Sequence, residues 1–157
     1  MIVKKIVDED FVNYKKPSMF IAFPSCTFKC ERECGKKMCQ NSELTQAPNI
    51  NVSTNSLIER YMNNPITQSV VCGGLEPMDS WEDLQCFIMN FRYWCDDDIV
   101  IYTGYTENEI QDKIDWLKVY EPIIIKFGRY IPNQQKHFDE VLGIELASDN
   151  QYGVKIS

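Results

Sequence analysis

The sequence has no apolar run long enough to cross a bilayer. Its longest, around Ile99–Tyr102 and Ile123–Ile125, fall far short of the roughly 20 residues a spanning helix needs. It has no excess of positive charge: 16 Lys and Arg stand against 23 Asp and Glu, a formal net charge of −7. Duplex nucleic acid calls for a basic footprint, so neither nucleic acid nor a membrane is an expected partner. The first ten residues, MIVKKIVDED, hold no uninterrupted apolar segment, which argues against a secretory signal. No repeat, low-complexity tract or long run of one charge divides the chain, so residues 1–157 read as one domain. Histidine is almost missing; His137 is the only one, and within the polar stretch QQKHF it reads as a surface side chain. What is plentiful excludes disorder: 44% apolar and 12% aromatic residues suffice for a real core at this length. A soluble, cytoplasmic protein is the expectation.

Cysteine is the residue in surplus. There are 7, and four of them, Cys26, Cys30, Cys34 and Cys39, fall within one short stretch. An odd total without an export signal does not suit a disulfide framework, because the cytosol keeps thiols reduced. A dense thiol cluster in a reducing compartment reads as a metal site. Cys72, Cys86 and Cys95 lie beside apolar runs and read as small buried residues.

Periodicity gives the frame. Ser18–Phe23 (SMFIAF) reads as a buried strand stopped by Pro24, with the cysteine loop (about 24–42) directly after it. Ser53 opens a helix whose stripe is Leu57, Ile58, Tyr61 and Met62, ended by Pro65. Gln68–Cys72 is a short strand closed by Gly73-Gly74. Ser80 with Asp83 resembles a capping box before Trp81, Leu84, Ile88 and Phe91. Ile99–Tyr102 is a strand stopped by Gly104, and Thr106 with Glu109 is a second capping box before Ile110, Ile114 and Leu117. Ile123–Lys126 is a fourth apolar run before Gly128; the tail from Gly143 holds one or two short strands. Trp81, Trp94 and Trp116 fall on helical stripes and read as core, and Asp96-Asp97-Asp98 as a solvated turn. Alternating strand and helix predicts an α/β fold of parallel strands with right-handed crossovers and a site beyond the strands' C-terminal ends. The unusual residues sit there: the cysteines after the first strand, Gly73–Pro77 after the second, Tyr102–Tyr105 after the third.

Soft thiolates favour zinc, copper(I) or an iron–sulfur cluster. Structural zinc usually takes two separated knuckles of paired cysteines, a layout this stretch does not show. A cluster of four irons is larger and can gather ligands from one curled loop. Iron–sulfur is favoured and zinc stays open. The charged insertion, Glu31, Arg32, Glu33, Lys36 and Lys37, should face solvent or a partner.

Cys26-x3-Cys30, followed by Cys39-Gln40-Asn41, resembles the motif of the radical S-adenosylmethionine (SAM) superfamily. It is most similar to the small activases of anaerobic ribonucleotide reductase. Eight residues separate Cys30 from Cys39 where that motif has two, and Cys34 stands among them. Cys39 is favoured as third ligand for its flank, with Cys34 as the rival. Met38 stands where the family usually carries an aromatic residue. Gly73-Gly74-Leu75-Glu76-Pro77 resembles the family's Gly-Gly-Glu-Pro element with a leucine inserted. Tyr102-Thr103-Gly104-Tyr105, Gly128-Arg129-Tyr130 and Ser148-Asp149-Asn150-Gln151 are similar to further activase elements.

The resemblance implies a partial (β/α) barrel arc of about four to six parallel strands, because the chain is too short for a closed ring of about 250 residues. It implies a [4Fe–4S] cluster on Cys26, Cys30 and Cys39, and SAM held by Gly73, Gly74, Glu76 and Pro77. Met38, Asn41, Tyr102, Thr103 and Gly104 would line the same cofactor. One electron from the cluster would cleave SAM to a 5′-deoxyadenosyl radical, with no catalytic residue beyond cluster and SAM. The implied partners are a glycyl radical enzyme, such as anaerobic ribonucleotide reductase, and a flavodoxin- or ferredoxin-type electron donor. Two other functions fit the residues: a radical SAM enzyme acting on a peptide or metabolite, and a non-catalytic zinc or iron–sulfur interaction module.

Overall fold

The computed structural model describes every residue from Met1 to Ser157. The N-terminus, which reads as a polar lead-in, instead forms two strands, β1 (Ile2–Val3) and β2 (Lys5–Asp10). β2 pairs antiparallel with β3 (Ser18–Phe23) through Lys5↔Ala22 to Asp10↔Ser18, with an irregularity between Val7 and Asp10. Its sequence, KIVDED, is too charged to signal a strand by itself, and the apolar neighbour supplies the pairing. The cysteine stretch is not all loop: it holds two short helices, α1 (Lys29–Cys34) and α2 (Ser42–Gln46). After β4 (Ile50–Asn51), which pairs with β1, the alternation runs as the periodicity predicts. It passes through α3 (Thr54–Met62), β5 (Ser69–Gly74), α4 (Trp81–Trp94), β6 (Asp98–Tyr102), α5 (Gln111–Leu117) and β7 (Ile123–Phe127). The tail adds β8 (His137–Asp139), β9 (Ile144–Leu146) and β10 (Tyr152–Lys155).

The main sheet has the order β10-β7-β6-β5-β3-β2. Its four central strands are parallel neighbours, and both edges, β2 and β10, run antiparallel. The alternation along each central strand sorts the side chains between two faces. Ile21, Val70, Cys72, Ile99, Ile101, Ile123 and Ile125 face α3, α4 and α5, in one cluster with Leu57, Leu84, Phe87, Ile88, Phe91 and Leu117. Val71, Val100 and Ile124 face the other way, where no helix lies. There Tyr14, Leu142 and Leu146 cover them, from the loop after β2 and from the β8–β9 hairpin. With both faces covered, the central strands become nearly unbroken apolar runs.

The ends of the helices agree with the sequence in two cases and not in a third. Ser53 caps α3, its hydroxyl accepting the Ser56 N–H at 3.0 Å. Glu109 accepts the Thr106 N–H at 2.9 Å, so that box forms, around a single 3-10 turn ahead of α5. Ser80 caps nothing; its buried hydroxyl has no partner. Asp83 accepts instead from Ile2 N–H, and the chain enters α4 through a 3-10 turn at Pro77–Ser80 capped by Glu76. Packing also corrects the apolar assignments. Met62 and Trp94 are exposed, while Trp81 and Trp116 meet edge to face at 5.4 Å and are half-buried. Of the scattered cysteines only Cys72 is buried; Cys95 is intermediate and Cys86 is exposed. The Asp96–Asp98 turn is tied rather than free: Tyr61 donates to Asp97 at 2.6 Å and Tyr14 to Asp98 at 3.0 Å. His137 lies half-buried on β8, its Nδ1 enclosed without a partner.

Phe91 joins α4 to its neighbours, with ring centroids 5.0 Å from Tyr61 and 5.6 Å from Phe87. Phe91→Ala should therefore lower the free energy of unfolding by about 3–5 kcal/mol, measured by denaturant titration.

Candidate functional site

A cavity of about 340 Å³ opens on the helix-free face at the C-terminal ends of the parallel strands. Parallel pairing puts those ends at one level: Phe23 is opposite Gly74, and Tyr102 is opposite Lys126. Phe20, Tyr102 and Lys126 form its floor because they alternate with residues that face the helices. The cysteine stretch forms one wall and the β8–β9 hairpin, through Ile144 and Leu146, the opposite one.

Three of the four clustered thiols, those of Cys26, Cys30 and Cys39, line this cavity. Cys34 does not: it ends α1 on the exposed side. The return of Cys39 has an identifiable cause. Gly35 takes a left-handed conformation (φ 65°) and reverses the chain after α1, and the Glu31 carboxylate accepts the N–H groups of Met38 (3.1 Å) and Cys39 (3.0 Å). Asn41 then anchors the stretch to the sheet, its side-chain amide donating to the Gly74 carbonyl at 2.7 Å. Gly74 itself has φ 93°, and a Cβ there would stand 2.7 Å from the Ala22 Cα, so only glycine suits this strand end.

Ionic contacts hold α1 over the rim. Arg129 pairs with Glu33 (3.3 Å) and Glu109 (2.7 Å), and Lys29 also pairs with Glu109. The Arg129 hydrogen bond, with help from Lys29 and Thr106, holds the Glu109 carboxyl far below the usual carboxylate range. Tyr105 completes the connection, donating to Asp79 at 2.6 Å while Asp79 accepts the Thr27 N–H at 2.7 Å.

Glu76 is the most enclosed acid, 5% exposed. Its Oε1 accepts from Thr103 Oγ1 (2.8 Å) and Met78 N–H (3.1 Å), and its Oε2 from Gly104 N–H (2.8 Å). Those donors favour the anion, yet desolvation outweighs them and pushes its carboxyl up to about 7. Met38, Asn41, Gly74, Tyr102, Thr103 and Gly104 share the cavity with it. Gly73 and Pro77 do not line it: a Cβ on Gly73 would meet the Phe20 ring, and Pro77 is buried in the 3-10 turn. Lys126 is the residue that motif reading passes over. Its only sequence signal is a charge closing an apolar strand, IIIK.

Residues 18–151 match the model of the family described as a 4Fe-4S single cluster domain. The chain belongs to this family. No curated protein and no solved structure matches it.

The donors suit the group that defines a 4Fe-4S single cluster domain. Three thiols gathered at one cavity are the kind of ligand set a four-iron cluster takes. Burial, followed by the neighbouring acids and Cys30, pushes the Cys26 thiol up to about 11; burial and the nearby Cys39 raise Cys30. These are protonated thiols that iron must deprotonate, so cluster uptake releases protons. Alanine at Cys26, Cys30 or Cys39 should abolish the brown absorbance and iron content of anaerobically reconstituted protein. Cys34→Ala should retain both.

Proposed function

We propose that the chain is a cytoplasmic radical SAM oxidoreductase of the glycyl-radical-activating kind, its four parallel strands forming an arc of a (β/α) barrel. The observation that carries the reading is one cavity shared by three thiols of a 4Fe-4S domain and a buried carboxylate on the loop after the next parallel strand. When bound, the cluster supplies one electron to SAM, which splits into methionine and a 5′-deoxyadenosyl radical that takes a hydrogen atom from the substrate. The chain's own residues bind and orient. Cys26, Cys30 and Cys39 serve as cluster ligands. Glu76 takes the amino group of the methionine half, a charge-assisted contact that the Thr103 and Gly104 donors hold in one geometry. Asn41 keeps the cysteine stretch against Gly74, and Met38 offers a polarisable sulfur for the adenine face.

Substrate enters where the helices are absent. The sheet is open, with antiparallel strands at both edges, and the cavity lies at its rim. A glycine-bearing loop of a large partner, such as anaerobic ribonucleotide reductase, suits that access, and a flavodoxin or ferredoxin is the electron donor. The interaction-module alternative is separated by one assay. Reconstituted protein with dithionite and SAM should release 5′-deoxyadenosine; zinc in place of iron, or no release, overturns the reading.

Glu76→Gln should keep the iron and weaken SAM binding by about tenfold or more, as expected for losing a buried charge-assisted contact. Because the acid is neutral below its pKa and charged above it, SAM affinity of the unsubstituted protein should fall as pH drops through about 7. Equilibrium dialysis across that range checks the sign.

A further inference from the structure

The cysteine stretch has an outer face as well as the one it turns to the cavity. An open depression lies there, lined by Phe28, Lys37, Met38 and Cys39 and by residues of α1 and α2. Met38 and Cys39 line the cavity too, so at the third thiol the wall between inside and outside is a single stretch of chain. Phe28, between Cys26 and Cys30, takes a left-handed backbone (φ 51°) that bulky residues rarely adopt, and its N–H donates to the Cys26 sulfur at 3.2 Å. The outer depression therefore sits directly behind the thiols.

Charge on this face is opposite to that of the molecule. Residues 29–37 hold four basic and two acidic side chains, whereas the rest of the chain holds twelve basic and twenty-one acidic ones. Both acids of the segment are already used. Glu31 accepts the Met38 and Cys39 N–H groups, and Glu33 pairs with Arg129. Lys29 is paired with Glu109. Arg32, Lys36 and Lys37 are exposed and form no ion pair. Glu43, on α2, is the remaining acid at the depression. Three free cations in a chain of net charge −7 make a local positive surface, whose field reaches about 8 Å at physiological salt.

We propose that this outer face is the docking surface of an acidic one-electron carrier protein, which delivers its electron to the cluster through the wall at Cys39. The proposal rests on the radical SAM reading, in which the cluster needs an electron from outside while SAM and substrate fill the cavity. The carrier is oxidised by one electron and the cluster takes that electron; no bond forms or breaks and no proton moves. Carboxylates of the carrier meet Arg32, Lys36 and Lys37, and the acidic remainder of the chain repels it from other faces. The long segment between Cys30 and Cys39 is thus a receptor that the shorter spacing of the radical SAM motif would not provide.

The test uses anaerobically reconstituted wild type and Lys36→Glu/Lys37→Glu, with an acidic bacterial flavodoxin as the carrier and photoreduced 5-deazariboflavin as a small uncharged reductant. Flavodoxin affinity is read by calorimetry, carbodiimide cross-links by mass spectrometry, and cluster reduction by the bleaching of its absorbance. The expected result is cross-links at Lys36 or Lys37 of the wild type. In the variant at low salt, affinity and flavodoxin-driven bleaching should both fall about tenfold or more, with bleaching by deazariboflavin equal in the two proteins. No binding to the wild type, equal affinity in both proteins, or cross-links confined to other lysines overturns the docking surface. So does weakened binding with flavodoxin-driven bleaching unchanged, which would make the patch an anion site off the electron path. Wild type reduced by deazariboflavin still releases 5′-deoxyadenosine from SAM in each of those cases, and the proposed function stands. Absence of that release overturns the radical SAM reading and the carrier surface with it. Should the variant lose its iron, acetylation of the wild type decides. Protection of Lys36 and Lys37 by flavodoxin supports the surface, and equal labelling with and without flavodoxin overturns it.

Discussion

Parallel pairing of β3, β5, β6 and β7 is the constraint on which the remainder depends. It fixes four strand ends at one level and forces each connection to cross back over the sheet. All three crossovers put their helices on one face. The other face has no helices to cover it and uses the only segments left, the loop after β2 and the C-terminal hairpin. Those cover the middle of the sheet, and the hairpin reaches the cavity at the C-terminal rim through Ile144 and Leu146. The site is thus a product of topology first and of side chains second.

Side chains then make the cavity costly to leave empty. A carboxylate, an ammonium and two raised thiols are drawn out of water within one small volume. Each would be better solvated in the unfolded chain, so each subtracts from stability unless something binds. The core of Ile, Leu and Phe between sheet and helices offsets that cost.

Much of this was legible in the sequence, and the part that was not has a physical reason. The four apolar runs, the Ser53 cap and the Thr106–Glu109 box report local interactions, and periodicity reads local interactions well. β2 was missed because KIVDED carries four charges and becomes a strand only by pairing with SMFIAF. The Ser80–Asp83 box failed because Asp83 found the N-terminal strand and Glu76 took over the cap. Trp94 falls on a helical stripe and Cys86 beside an apolar run, yet both lie on the exposed side of α4. For the site, residue type marked the four clustered cysteines, and the family resemblance singled out Cys26, Cys30, Cys39 and Glu76, which line one cavity. Lys126 did not stand out. Lysine is common, and only its burial and its unmatched donors make it unusual.

The long spacing between Cys30 and Cys39 follows from the same geometry. Within α1, Cys30 and Cys34 lie four residues apart, about 6 Å along the axis, and Cys30 lines the cavity while Cys34 ends the helix exposed. A chain that ended the cysteine stretch at Cys34 would carry its third thiol away from the cavity, one helical turn further out. Gly35 reverses the direction, and the Glu31 carboxylate captures the two N–H groups that bring Cys39 back beside Cys30. The extra residues therefore lengthen the path between the two thiols without enlarging the distance they must span. The same helix presents Lys29 and Glu33 to Glu109 and Arg129, so the detour also gives the cysteine stretch its ionic attachment to the far side of the rim. The residues between Cys30 and Cys39 thus leave both thiols on one cavity and supply the stretch's ionic support.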